Sequence, residues 1–204
     1  MSTVRAGVQL RDVRGRLVAL PVERWFGPIE TIDLRVLDLV RGGPVLDVGC
    51  GPGRHVAALA ERGVPALGID ITASALDVAR GRGACVMNRS VFDRIPAAGR
   101  WASVLLLDGN VGIGGQPGVL LRRVRDLLRP GGTLIVELDP PSARHAARLV
   151  HFEVEAVAGP WFSLAIVTID DIAALARSSG FTPARVWRDG RRWFGMLRRE
   201  ERAA

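Results

Sequence analysis

The stretch Val45-Leu46-Asp47-Val48-Gly49-Cys50-Gly51-Pro52-Gly53-Arg54-His55 constrains this chain more than any other. A short apolar run carrying an acid leads into a glycine-rich turn, and a helical pattern begins at once. Strand, turn and helix N-terminus together make a nucleotide-type pocket. Glycine lets the backbone approach a ligand closely, and the start of a helix offers unpaired N–H groups to an anionic group.

The length of 204 residues sets one domain as the expectation, over 1–204. Apolar residues make up 48% and charged residues 24%, the balance of an ordinary globular protein. No apolar run approaches the roughly 20 residues of a membrane helix. Residues 1–16 are studded with arginine and lack the apolar centre of a signal peptide. The expectation is a cytoplasmic protein with no membrane partner. Cys50 lies inside the glycine turn and Cys85 at the start of an expected strand, a spacing that suggests neither a metal site nor a disulfide. Cys50 is read as a small turn residue ahead of a reactive thiol.

The net charge of +7 brings a nucleic-acid partner into view. There is no lysine and no tyrosine, so every basic side chain apart from histidine is an arginine. The arginines are spread along the chain apart from Arg122, Arg123, Arg125 and the C-terminal end. A solvated basic surface is therefore favoured over a nucleic-acid face.

Along the chain, 1–22 reads as an irregular arm and 29–40 as a helix, with Ile29, Ile32, Val36 and Leu39 on one face. Apolar runs at 45–48, 66–70, 85–87, 101–107 and 133–138 read as strands; helical patterns at 53–62, 73–82 and 119–128 separate them. The runs at 149–156 and 161–167 read as a strand pair. Thr168 is expected to cap a helix through Ala176. Asp189-Gly190 joins two more strands, 182–188 and 192–198, with a strong hairpin signal. The alternation argues for an α/β fold with a doubly wound, mostly parallel sheet and an antiparallel end. In such sheets ligands bind outside the carboxyl ends of the strands. Asp47, Asp70, Asp108 and Asp139 all fall at or just beyond such ends.

The glycine spacing is G-x-G-x-G, with Arg54 where the dinucleotide fingerprint G-x-G-x-x-G continues. The lysine of a P-loop is absent. Asp70 lies about 20 residues beyond Gly49, where an acid can hold ribose hydroxyls and repel a 2′-phosphate. These features fit an adenosine-bearing ligand without a pyrophosphate.

Residues 45–53, together with Gly68-Ile69-Asp70, 105–108 and Leu127-Leu128-Arg129-Pro130-Gly131-Gly132, resemble the class I S-adenosylmethionine-dependent methyltransferase family. The resemblance covers about 40–140 and implies a Rossmann-like, seven-stranded sheet of order 3-2-1-4-5-7-6. The expected single domain divides into an arm (1–28), a cofactor-binding core (29–140), a substrate-covering hairpin (141–167) and a C-terminal helix with an antiparallel hairpin (168–204).

The resemblance also implies roles. Gly49, Cys50, Gly51 and Gly53 form the loop around the methionine and ribose parts of S-adenosylmethionine. Asp47 positions that loop, Asp70 binds the ribose hydroxyls and Ile71 packs on adenine. Ser90-Val91 stands where the family often places an acid and an apolar residue against adenine; Ser90 or the Val91 backbone N–H would replace that acid. Asp108 ends the fourth strand near the sulfonium.

Methyl transfer chiefly needs alignment and exclusion of water. A base is required only for an acceptor that arrives protonated. Asp108, His145 and His151 are the candidates, and His55 is read as a neutral anchoring residue. Trp25, Asn110, His145 and Trp161 are expected around a small-molecule acceptor, of the kind met in specialised metabolism, with S-adenosylhomocysteine as the other product. Trp25 and Trp161 equally suit core packing. The rival readings are an RNA or other nucleic-acid methyltransferase and a non-methylating S-adenosylmethionine binder. No metal is expected, and the sequence leaves the oligomeric state open.

Overall fold

The computed structural model describes residues 8–18, 22–40, 42–141, 147–154, 157–159 and 161–201. The first half of the chain runs β1 (Val8–Asp12), β2 (Leu17–Val18), α1 (Val22–Phe26), α2 (Thr31–Leu37), β3 (Val45–Val48), α3 (Arg54–Glu61), β4 (Ala66–Asp70), α4 (Ala73–Gly81), β5 (Val86–Asn88) and β6 (Trp101–Leu106). A 3-10 turn over Asn110–Gly112 follows. The second half runs α5 (Pro117–Leu127), β7 (Leu128–Leu138), β8 (Ala147–Val154), β9 (Val157–Ala158), β10 (Phe162–Ala165), α6 (Ile172–Ser178), β11 (Phe181–Asp189) and β12 (Arg192–Arg199).

The main sheet has seven strands in the order β11-β12-β7-β6-β3-β4-β5. Counted along the chain within this sheet, that is the order 3-2-1-4-5-7-6 read from the other edge. The pairs β5–β4, β4–β3, β3–β6 and β6–β7 are parallel, and β12 runs antiparallel to both β7 and β11. The central strands are apolar on both faces because helices cover both. On β6, Val104 and Leu106 enter one core with Leu120, Val124 and Leu127 of α5. Leu105 and Leu107 enter the other with Val36 and Leu37 of α2 and Leu59 of α3. Among the described residues no helix is long and apolar enough to cross a membrane.

The N-terminal arm departs from the sequence reading. Far from being irregular throughout, it supplies β1, which pairs antiparallel with β8, Arg11 opposite His151, in a second sheet of order β10-β8-β1-β2 with β9 beside β8. The expected strand pair at 149–167 is thus real but has a partner some 140 positions away in sequence, a pairing that local periodicity cannot reveal. The helix expected over 29–40 is shorter, and a separate α1 precedes it across Gly27-Pro28-Ile29-Glu30. At 168 the chain turns before it coils: the Thr168 N–H and hydroxyl both donate to Asp171, and α6 begins at Ile172.

The second sheet is fastened where ligands of such folds bind. β10 forms a bridge from Leu164 to Ile113, in the loop that follows β6. Gly112 makes this approach possible, since a Cβ there would stand 1.9 Å from the Ala165 carbonyl oxygen. Gly112→Ala is expected to force the second sheet off this loop and lower stability by about 1–3 kcal/mol. Urea unfolding measures it, and a midpoint equal to the wild type would show that the contact yields without cost.

Candidate cofactor site

Each glycine of the turn after β3 is there for its own reason. Gly49, Gly51 and Gly53 have φ of +72°, +49° and +74°, which side-chain-bearing residues rarely adopt. A Cβ at Gly49 would meet the Asn110 amide at 2.6 Å, and one at Gly53 would meet Ala79 Cβ at 2.6 Å. At Gly51 a Cβ would meet nothing within 4 Å. So Gly49 admits Asn110, Gly53 admits α4, and Gly51 faces open space. The Gly49 and Cys50 N–H groups donate to the Ile69 carbonyl, tying the turn to β4.

Asp70, at the end of β4, accepts from the Gly51 N–H at 2.9 Å and from the Thr72 N–H at 2.8 Å. Each carboxylate oxygen keeps a lone pair for a further donor. Ile71 beside it is 60% exposed, a large apolar side chain left open at the strand end. Cys50 is buried against Gly68, and burial together with Asp47 and Asp70 pushes its thiol up, away from the thiolate form.

On the next strand-end loop, Ser90 Oγ accepts from the Phe92 N–H, and the Ser90 N–H donates to Asp93. Val91 is in the core and its carbonyl accepts from Arg123. Phe92, which sequence reasoning passed over, is the exposed apolar residue of this loop, and its ring lies against Gly114. Its signal was an aromatic following Ser90-Val91.

Beneath the turn lies a network of ion pairs. Arg54, the first residue of α3, donates to Asp33 of α2 at 3.1 Å and to both oxygens of Asp108 at 2.7 and 3.1 Å. Arg192 of β12 donates to Glu137 at 2.9 and 2.7 Å and to Asp33 at 2.6 Å. Arg24 of α1 donates to Asp108 at 2.8 Å and lies 3.5 Å from Glu137. His55 stands between Asp33 at 3.4 Å and Asp47 at 3.5 Å; these are ion contacts longer than ordinary hydrogen bonds. Asp33, Asp47, Arg54, His55, Glu137 and Arg192 are all buried.

Two expected roles change here. Asp108 was a candidate base, but Arg54 and Arg24 clasp its carboxylate and its backbone N–H donates to Glu137. Burial works against its charge, yet the Arg54 charge prevails and holds the carboxyl below its ordinary range. It stays ionised and is a poor proton acceptor. His55 is not neutral: burial disfavours its proton, but Asp33 and Asp47 outweigh that and raise its pKa to about 9. The unfavourable position at a helix N-terminus is overcome by two buried carboxylates within 3.5 Å.

Asn110, expected at the acceptor, instead donates through Nδ2 to the Val48 and Gly49 carbonyls at 3.0 and 2.9 Å. It holds the glycine turn in place. Trp161 is half-exposed and packs on His151 of the second sheet, ring centroids 4.3 Å apart. Trp25 lies half-buried in α1. His145 lies outside the described residues. A cleft of about 460 Å³ opens beside Arg24, lined by Glu23, Gly27, Pro28 and Glu30 as well.

The raised pKa of His55 makes stability depend on pH. Its contribution is complete below the unfolded-state value near 6.5 and is lost as pH climbs through about 9. Unfolding free energy should fall across that window by up to about 3 kcal/mol, and His55→Gln should abolish the slope. Denaturant titrations at several pH values test it; an equal slope in both proteins would refute the ion pairing.

The residues present suit an adenosine-bearing ligand: open space above Gly51, a fixed carboxylate at Asp70 with spare acceptor capacity, and an exposed apolar side chain at Ile71. Residues 45–132 match the family model described as a methyltransferase domain. No curated protein matches the chain. Its fold is similar to a methyltransferase of Bacteroides fragilis solved with S-adenosyl-L-homocysteine, at 21% identity, TM-score 0.79, covering 96% of this chain and 88% of that one. It is similar also to the 1,6-didemethyltoxoflavin-N1-methyltransferase of Burkholderia thailandensis, at 22% identity, TM-score 0.63, covering 84% and 78%. A third likeness, at 20% identity, TM-score 0.65, covering 87% and 94%, is to an S-adenosylmethionine-bound amino pentose methyltransferase of calicheamicin biosynthesis from Micromonospora echinaspora. The glycine turn, the strand-end acid and the 3-2-1-4-5-7-6 sheet thus lie in a fold similar to that of these methyltransferases, and residues 45–132 match a methyltransferase-domain model.

Proposed function

We propose that the protein transfers the methyl group of S-adenosylmethionine to a small organic acceptor, in the manner of specialised metabolism, and does so in the cytoplasm. The observation that carries the cofactor part is the open space above Gly51 beside the Asp70 carboxylate and the exposed Ile71. Asp70 would hold the ribose hydroxyls, Ile71 and the Ser90–Phe92 loop would flank adenine, and the backbone of Gly49 to Gly53 would line the methionine part. Bound there, S-adenosylmethionine supplies a methyl group on a positively charged sulfur, already activated for transfer.

The chain's own contribution is to align and enclose. Asn110 fixes the glycine turn, and the ionised Asp108 sits at the end of β6 with its charge already balanced by Arg54 and Arg24. The acceptor would lie over the ends of β6 and β7, with the loop after β6 on one side and the second sheet above it. Trp25 and Trp161 are its candidate apolar walls. Two observations favour a small acceptor. The second sheet is fastened directly to the loop after β6. And several arginines behind the basic charge are engaged within the chain, Arg24, Arg54 and Arg192 with acids, Arg123, Arg129 and Arg199 with backbone carbonyls. The Burkholderia and Micromonospora neighbours act on small molecules.

Calorimetric titration with S-adenosylmethionine, S-adenosylhomocysteine and NAD in parallel tests this reading. The first two should bind and NAD should not. Asp70→Ala should weaken both by at least about tenfold, as loss of hydrogen bonds to a charged group does. NAD binding alone, or unchanged affinity in Asp70→Ala, would overturn it.

A further inference from the structure

Four acids stand at or just beyond carboxyl ends of the central strands, and the structure assigns occupations to three of them. Asp47 faces His55 in the buried network. Asp70 accepts two backbone N–H groups of the cofactor turn. Asp108 is clasped by Arg54 and Arg24. Asp139 differs: its backbone is fixed, the N–H donating to Val167 and the carbonyl accepting from Ile169, while its carboxylate has no partner among the described residues.

Asp139 follows directly on β7, next to β6 in the sheet. The cofactor features lie on β3, β4 and the loop after β5, so β7 is on the acceptor side. The residue continuing the β12 register opposite Asp139 is Arg192, whose guanidinium is spent on Glu137 and Asp33. Glu137 on the same strand and Asp108 at the end of β6 are the other charged groups nearby, each paired with arginine. From the chain packed against it, Thr168 is neutral and turned to Asp171.

We propose, resting on the methyltransferase reading, that Asp139 is the acceptor-side carboxylate of the site: it faces the acceptor's nucleophilic atom and takes its proton. As that atom's electron pair bonds to the methyl carbon, the carbon–sulfur pair stays on sulfur and cancels its charge. The proton leaves the acceptor atom for an Asp139 oxygen and passes to water when the product departs. Burial and the Glu137 charge raise the Asp139 carboxyl above its ordinary value, in the direction a proton acceptor requires.

The test uses the intact chain and two probes, S-adenosylhomocysteine and sinefungin, the analogue that carries an amine where the methyl-bearing sulfur would be. The ammonium of sinefungin places a proton donor at the transfer position without an acceptor being known. Asp139→Asn should weaken sinefungin by about tenfold, the loss of one charge-assisted hydrogen bond, and leave S-adenosylhomocysteine within about twofold. Equal weakening of both would make Asp139 a residue that merely shapes the pocket, and unchanged binding of both would place it away from the transfer position; either overturns the proposal. A wild-type protein that binds neither probe would overturn the cofactor reading beneath it, a result distinct from both.

Discussion

The structure depends on a set of buried charges that must be neutralised where they stand. An unpaired ion in a protein interior costs several kcal/mol, so each of these groups dictates where its partner lies. Asp33 is fully buried in α2 and can exist as a carboxylate only because Arg54, His55 and Arg192 converge on it. Arg54 brings the start of α3, Arg192 brings the antiparallel strand β12, and through Asp108 and Glu137 the network reaches the ends of β6 and β7. Arg24 adds α1. Elements scattered over most of the chain meet at one point, directly under the glycine turn.

That convergence divides the labour of the strand ends. Charges gathered beneath the turn are paired with one another and make its floor. What stays open is at the strand ends: the space above Gly51, the spare lone pairs of Asp70, the side chain of Ile71 and the carboxylate of Asp139, which has no partner among the described residues. Asp108 illustrates the cost of such a floor, with a φ of +56° that a non-glycine residue seldom adopts. Its surroundings over-determine it, since two arginines hold the side chain and Glu137 accepts from its N–H.

The core of the fold was legible because it is written locally. Strands buried on both faces need continuous apolar runs, and 45–48 and 101–107 have them; Asp189-Gly190 names its own hairpin. The glycine turn was legible for the same reason, its conformation being a demand on single residues. What misled was anything whose partner lies far along the chain. β1 looks irregular because it is five residues long and pairs with β8, which begins at Ala147. His55 looked neutral from its place at a helix start, since nothing near it in sequence announces Asp33 twenty-two positions earlier. Asn110 looked like an acceptor contact and is a brace for the turn.

By itself, then, the sequence determined the alternation of strands and helices, the glycine turn, and the acids placed at the strand ends. These follow from hydrophobic period, backbone freedom at glycine and spacing, all properties of neighbouring residues. Only the tertiary structure decided what each acid does. Ionisation and hydrogen-bonding capacity are set by the charges and burial within a few ångströms, and those come from Arg24, Arg54 and Arg192, which the sequence keeps far apart. Four similar aspartates thereby become a buried counter-ion at Asp47, a backbone-held acceptor at Asp70, a clasped anion at Asp108 and a carboxylate without a partner among the described residues at Asp139.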